Sequence, residues 1–369
     1  MDFKFNKVGV LGTGVMGSQI AAHLTNAGIE VYAFDMTQEV AVDGIEKCKK
    51  LKPSPFYNPK TAEMISIMNY DEHLEKLNEC DWIVEAISER LDWKQDLYKK
   101  IIPHLNDKCI VTSNTSGISL SDLSKDLPKE FLEKFFITHF FNPPRYMKLV
   151  EIISSSDTSK DMVKYTDSFL NEVLGKNVVH AKDTPNFIAN RIGVYGMMVT
   201  LDESQKRNLS IEDVDALTGT LIGRPKSATF RTADVVGLDT MCFVNKTAYD
   251  KCVDDPEREI FNLPDYINKM VENNWLGQKT KQGFYKKIDK GVIHSLDLKT
   301  LEYKPMKKKK YGAFAIGKEN TYLRDRLYAV VRSDDVAGEF LWKCFARSLA
   351  YSANLLGEIA DDIMSIDNA

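Results

Sequence analysis

Val8-Gly9-Val10-Leu11-Gly12-Thr13-Gly14-Val15-Met16-Gly17 is the stretch whose reading decides the fold. Val8 to Leu11 form a short apolar strand, and three glycines follow at GxGxxG spacing. Ser18 to Ala27 then read as a helix with Ile20, Ala21 and Leu24 on one face, closed by Gly28. Glu30 to Asp35 is the next strand, and it ends in an acid about 20 residues beyond the glycines. Strand, glycine loop, helix, strand and acid together make a dinucleotide-binding unit. Gly12 permits the tight turn, Gly14 lets the backbone approach a pyrophosphate, and Gly17 lets the helix pack on the strand. The helix start offers N–H groups and the positive end of a dipole to phosphate. The whole loop, Gly12, Thr13, Gly14, Val15, Met16 and Gly17, is therefore expected to bind the cofactor. Asp35 reads as the acceptor for adenosine ribose hydroxyls. Met36 and Thr37 follow it with no arginine, so a 2′-phosphate meets only repulsion and NAD is expected over NADP.

Working outward, Asp81 to Ile87, Cys109 to Asn114, Lys134 to Phe141, Lys148 to Ser154 and Val178 to Ala181 read as further strands, with helices such as Trp93 to Ile102 between most of them. This alternation predicts an α/β fold: a Rossmann-like, doubly wound, mostly parallel sheet, followed by an all-α C-terminal domain. Such sheets bind ligands beyond the carboxyl ends of their strands. Glu89, Asn114, Ser116 and His139 all fall at or just past such an end. His139 closes one apolar run, Pro143-Pro144 makes a turn, and the next run carries Glu151 among apolar residues. Two strands joined this way bring imidazole and carboxylate together, which is the arrangement of a general base near neutral pH. Between Lys47 and Asn58, prolines interrupt a basic helical stretch; it reads as an exposed loop or as a lysine cluster beside a phosphate-rich substrate.

Thr184-Pro185-Asn186 marks a break, after which Phe187 to Lys206, Ile211 to Thr218, Leu238 to Cys252 and Asp265 to Asn273 are helical. Residues 288–305 look like a small hairpin, and Tyr322 to Met364 are helical again. Leu341 to Ala369 echoes Arg191 to Leu217, a long helix followed by a polar segment, so the chain reads as ending partway into a repeated unit. The expected division is 1–183 for the nucleotide domain and 184–286 for a helical substrate and dimerisation domain. Residues 287–330 form a hairpin-containing insert, and 331–369 an incomplete second copy with an apolar face to cover.

The 369 residues are 43% hydrophobic and 28% charged, with a formal net charge of -4, which gives no argument for nucleic acid or a membrane surface. Lys307 to Lys310 read as a solvated loop. Asp2, Lys4 and Lys7 lead straight into a strand rather than into a secretory leader, and no run approaches the roughly 18 apolar residues of a membrane span. The six cysteines (48, 80, 109, 242, 252 and 344) show no CxxC spacing and read as reduced thiols of a cytoplasmic protein. No HxxxH or Cys/His cluster proposes a metal.

At this point the motifs resemble a known family. GTGVMG (12–17), VEAISE (84–89), SNTSGIS (113–119), HFFNPPRYMKLVEI (139–152), KDTPNFIANR (182–191), VGLD (236–239) and KTKQGFY (279–285) look like the L-3-hydroxyacyl-CoA dehydrogenases. The later part is similar to the subgroup fused to an enoyl-CoA hydratase, without the hydratase itself. The resemblance implies that Asp35, Glu89, Lys94, Asn142 and Lys279 contact NAD; Asn114, at its strand end, is grouped with them. It implies His139 as catalytic base, Glu151 as its carboxylate partner, and Ser116 and Asn190 as groups that position the substrate's oxygens. An acyl-CoA substrate, a homodimer and a separate enoyl-CoA hydratase partner are the implied associations. The family's serine and lysine contacts to coenzyme A do not align here, and Lys226 to Phe230 replace its usual GPF segment. Three function classes stay open: this dehydrogenase, a dehydrogenase for another 3-hydroxy acid, and a subunit that docks a separate hydratase.

Overall fold

The structure is a computed structural model that describes residues 5–307 and 309–369, so Asp2, Lys4 and Lys308 of the readings above lie outside the described residues. The chain forms two units: one runs to Ile188 and takes back Leu356–Ala369, the other is Ala189–Leu355.

The first unit contains β1 (Lys7–Leu11), α1 (Val15–Asn26), β2 (Glu30–Asp35), α2 (Gln38–Lys49), β3 (Ile65–Asn69), β4 (Trp82–Glu85) and α3 (Leu91–Ile101). It continues through β5 (Ile110–Ser113), α4 (Leu120–Ser124), α5 (Lys129–Leu132), β6 (Phe135–Phe140), β7 (Leu149–Ile153), α6 (Lys160–Glu172) and β8 (Asn177–His180). The strands make one sheet in the order β3-β2-β1-β4-β5-β6-β7-β8. β1 to β6 are parallel, and β7 turns antiparallel to β6 with β8 parallel beside it. This is the doubly wound order, with its crevice at the β1/β4 switch point. Val8, Val10, Val31, Ala33 and Val84 are fully buried, as expected for central strands covered on both faces. β3 was not expected from the sequence. Its five residues pair with β2 from Val31↔Ile65 to Asp35↔Asn69, but Ser66 and Asn69 dilute its apolar pattern.

The second unit begins with α7 (Ala189–Lys206), α8 (Ile211–Thr218), α9 (Phe230–Val236), α10 (Leu238–Lys251) and α11 (Asp265–Glu272). α7 starts two residues later than expected, because Asn186 (φ 66°) and Phe187 (φ 51°) are left-handed. β9 (Tyr285–Asp289), β10 (Val292–Leu296) and β11 (Tyr303–Pro305) form a three-stranded antiparallel sheet, one strand more than the expected hairpin. α12 (Gly312–Glu319), α13 (Leu323–Val330) and α14 (Val336–Asn354) complete the unit.

Within the second unit the hydrophobic core runs on across residues 287 and 331. Leu296, Ala313, Val330 and Phe340 share one hydrophobic core with Leu217, Ile267 and Phe284, so these segments bury their apolar faces together. Residues 356–369 also leave the expected second copy. The Lys182 N–H donates to the Ile359 carbonyl at 2.9 Å, and the Lys182 ammonium lies 2.7 Å from Asp361. Ile359 and Ala360 are buried, and α15 (Ile363–Asn368) ends the chain in the first unit. Away from α7, α14 leaves Trp342 (48%) and Leu349 (66%) exposed along a groove of about 590 Å³ that Tyr328 also lines. No helix among the described residues is long and apolar enough to cross a membrane.

Candidate active site

Because β6 and β7 are antiparallel, residues on the two strands face each other in fixed pairs, and His139 stands directly opposite Glu151. His139 Nδ1 lies 2.6 Å from Glu151 Oε2, and both side chains are buried. The Ile188 N–H donates to Glu151 Oε1 at 3.0 Å, so both carboxylate oxygens are fixed. A carboxylate only accepts, so the bonding network assigns the imidazole proton to Nδ1 and leaves the Nε2 lone pair free to accept. Ser116 Oγ lies 3.0 Å from that Nε2. The rings of Phe141 and Phe187 flank the imidazole at 4.4 and 5.8 Å between centroids. The expected meeting of His139, Glu151 and Ser116 is thus a direct consequence of strand register plus the turn after β5.

That turn is built by acids. Glu89 Oε1 accepts from Thr115 Oγ1 (2.6 Å) and from the N–H groups of Ser116 and Gly117 (2.9 Å each). Lys94 Nζ lies 3.6 Å from Glu89 Oε2 and donates to Glu85 Oε1 at 2.6 Å. Glu85 has no exposed surface and also accepts from the Ile87 N–H, Tyr98 OH and Ser113 Oγ. Four donors fill a carboxylate's acceptor capacity, which is what allows such a charge to be buried. Burial, with the Glu85 charge beside it, raises the Tyr98 phenol well above its ordinary range, so Tyr98 stays a donor. Glu89 and Lys94, expected at the cofactor, here build the turn that carries Ser116. Lys94 is 1% exposed, and a contact from its ammonium to a ligand requires leaving Glu85. Asn114 Oδ1 accepts from the Phe140 N–H at 2.8 Å and so pins the strand beside His139.

The glycine loop has the geometry its spacing predicts. Gly12 adopts φ +95°, and a Cβ there would lie 2.8 Å from the Ala86 carbonyl oxygen. A Cβ on Gly17 would overlap the Gly12 carbonyl, so α1 packs at a distance only glycine allows. Around Gly14 there is open space, and as N-cap of α1 it leaves the first turn without a side-chain cap. A diphosphate fits these two facts. Asp35 Oδ2 accepts from both the N–H and Oγ1 of Thr13 at 2.7 Å, and Oδ1 from the Met36 N–H at 2.8 Å. Three of roughly four acceptor sites are used, so Asp35 shapes the loop as well as offering an edge to a ribose. Val15 and Met36 are exposed beside it.

A groove of about 570 Å³ runs from Thr13 and Asp35 past Ser18, Lys47 and Lys52 to Asn142. Asn142 Oδ1 accepts from Gln19 Nε2 at 2.9 Å. α2 ends at Lys49, before the prolines, and Arg145 donates to the carbonyls of Ser54 and Phe56 to hold the following loop. Cys48 is buried there, and burial pushes its thiol up to about 11, which makes it an inert wall rather than a nucleophile. Lys176 is buried beneath the Pro143–Pro144 turn, donating to the carbonyls of Pro144 and Met147. In the second unit, Asn190 lies in the first turn of α7, and Lys279 forms an ion pair with Asp239 of α10. Among the described residues, no group of three or more His, Cys, Asp or Glu side chains is placed to hold a metal ion.

The family model "3-hydroxyacyl-CoA dehydrogenase, NAD binding domain" matches residues 7–184, and "3-hydroxyacyl-CoA dehydrogenase, C-terminal domain" matches 187–287. The chain belongs to the 3-hydroxyacyl-CoA dehydrogenase family. It is 46% identical over its full length to a "Probable 3-hydroxyacyl-CoA dehydrogenase" of Bacillus subtilis, and spans 49% of that relative. A "Probable 3-hydroxyacyl-CoA dehydrogenase" of Deinococcus radiodurans is 40% identical over 77% of this chain and 83% of its own. The fold of the dehydrogenase part of multifunctional enzyme 1 from C. elegans covers 99% of this chain and 79% of that one, at a TM-score of 0.63 and 21% identity. The 3-hydroxyacyl-CoA dehydrogenase NAD-binding domain therefore coincides with the first unit's glycine loop and His139–Glu151 pair, and NAD is its cofactor.

Sequence reasoning missed Glu85, Gln19, Thr115 and the Ile188 N–H. For Glu85 a signal existed: an acid inside the apolar run Trp82 to Ala86 demands a buried partner. The others act through backbone groups or across the fold, and carry no local signature.

Proposed function

We propose that the protein catalyses the reversible NAD-dependent oxidation of an L-3-hydroxyacyl-CoA to the 3-oxoacyl-CoA, in fatty-acid β-oxidation or a related short-chain pathway. The observation that carries this reading is the line Glu151–His139–Ser116, at 2.6 and 3.0 Å, in the same unit as the glycine loop. Oxidising a secondary alcohol requires the hydroxyl to lose its proton as hydride leaves the carbon. NAD, when bound, takes the hydride. His139 receives the proton at Nε2, the atom left free by the Nδ1–Glu151 bond, and Glu151 stabilises the resulting imidazolium. Ser116, already at that Nε2, turns its hydroxyl to the substrate oxygen, and Asn190 serves the thioester side. In the reverse direction the same Nε2–H protonates the 3-oxo oxygen.

Asp35 selects NAD over NADP by offering its remaining acceptor edge to a diol and its charge against a phosphate. Asn114, Asn142, Lys279 and the Oε2 edge of Glu89 complete the cofactor contacts, and Lys94 serves them by holding the Ser116 turn through Glu85 and Glu89. The groove carrying Lys47 and Lys52 suits the phosphate-bearing end of an acyl-CoA. The names of the Bacillus and Deinococcus relatives support the same substrate class. A steady-state panel of 3-hydroxyacyl-CoA substrates, from C4 to long chain, with each nicotinamide cofactor tests the reading. Turnover of the thioesters with NAD is expected; turnover of free 3-hydroxy acids alone would sink it.

A further inference from the structure

The family match ends at residue 287, yet α14, residues 336–354, lies against α7 and reaches its first turn. Arg191, the residue after Asn190, is 1% exposed. Its Nε donates to Tyr351 OH of α14 at 2.6 Å, its Nη2 to Asp255 Oδ2 at 2.5 Å, and its Nη1 to Cys252 Sγ. Tyr351 OH donates to the same Asp255 oxygen at 2.5 Å, which closes a ring of charge-assisted bonds around the guanidinium. One turn along α7, the Tyr195 ring stacks on Tyr351 at 3.6 Å with 5° between planes. At the other end of the pair, Arg207, just past α7, donates to Glu339 in the first turn of α14 at 2.8 Å. The two helices are thus clamped antiparallel at both ends.

From this we infer that Tyr351 is a positioning residue for the dehydrogenase reaction: it fixes Arg191, and through Arg191 the first turn of α7 that carries Asn190. The inference rests on the role proposed above for Asn190. A buried guanidinium tolerates few geometries, because every donor left unpaired is penalised. A first turn held on three sides carries its neighbouring side chain within the fraction of an ångström that an oxygen-positioning group needs. The stretch beyond 287 then belongs to the working dehydrogenase rather than being an appendage.

A double-mutant cycle on the full chain tests this, using acetoacetyl-CoA and NADH. Tyr351→Phe is expected to lower kcat/KM about tenfold or more in the Asn190 background, and to change it less than twofold in the Asn190→Ala background. NADH binding, a property of the glycine loop, should stay within twofold. Arg207→Met is the comparator: it loosens the same helix pair at the end away from Asn190, and is expected to lower Tm while leaving kcat/KM within twofold. Equal losses from Tyr351→Phe in both backgrounds, or a loss from Arg207→Met as large as that from Tyr351→Phe, would overturn the inference. So would an unchanged kcat/KM in Asn190→Ala. Absence of turnover by the unsubstituted protein would instead overturn the dehydrogenase reading itself.

Discussion

Glu151→Gln separates charge from shape at the dyad. Glutamine is isosteric, and its amide oxygen can keep the Ile188 N–H that Glu151 Oε1 now accepts at 3.0 Å. Its NH₂ then faces His139 Nδ1 where the carboxylate stood at 2.6 Å. A donor there forces Nδ1 to accept, which moves the ring proton to Nε2 and fills the lone pair that should take the hydroxyl proton. The carboxylate's attraction for the imidazolium is lost as well. Opposite charges about 4 Å apart at an effective dielectric near 20 attract by about 4 kcal/mol. At 1.36 kcal/mol per decade that is roughly 1,000-fold in kcat. The assay is steady-state NADH oxidation with acetoacetyl-CoA, accompanied by NADH fluorescence titration and near-UV circular dichroism. Expected are a kcat about three decades down, unchanged NADH affinity and an unchanged spectrum. A folded variant within threefold of the unsubstituted rate would refute the assignment of Glu151.

Asp35→Ser is expected to narrow the preference for NAD over NADP by at least tenfold in kcat/KM, and to loosen the Thr13 bonds; an unchanged ratio would remove Asp35 from cofactor selection. His23 is buried, and burial, with the Lys176 charge nearby, lowers its proton affinity from the ordinary 6.5 to about 4. The unfolded chain therefore binds the proton first as pH falls. Stability contributed by neutral His23 is full above pH 6.5 and lost toward pH 4, by up to about 3 kcal/mol. His23→Leu should flatten that part of a urea-unfolding pH profile, and equal slopes would contradict the reasoning. Lys94→Met leaves the Glu85 charge buried and uncompensated, so a loss of about 3–5 kcal/mol is expected by urea unfolding. Adding Glu85→Gln should recover part of it, and simple additivity would argue against the pair.

The legible parts of this molecule were those written in local patterns. GxGxxG with its acid, and two apolar runs either side of Pro143-Pro144, placed the cofactor loop and brought His139 to Glu151 because strand register follows from alternation and turn length. What stayed hidden depends on partners distant in sequence. For Lys94, the Glu85 carboxylate beneath it leaves no mark in the helix's own sequence. For Glu89, nothing local announces the three donors gathered on one of its oxygens. The echo of α7 in residues 341–369 was readable as similarity, but not the return of Ile359 and Ala360 to Lys182 just past β8, since a tertiary docking leaves no period in the chain.

The most direct test of the central claim is the rate of NADH oxidation with acetoacetyl-CoA by the unsubstituted protein and by His139→Gln, with NADH binding measured on both. The account predicts readily detected turnover that falls by about three decades or more in His139→Gln while NADH still binds. Comparable rates in the two proteins would contradict it.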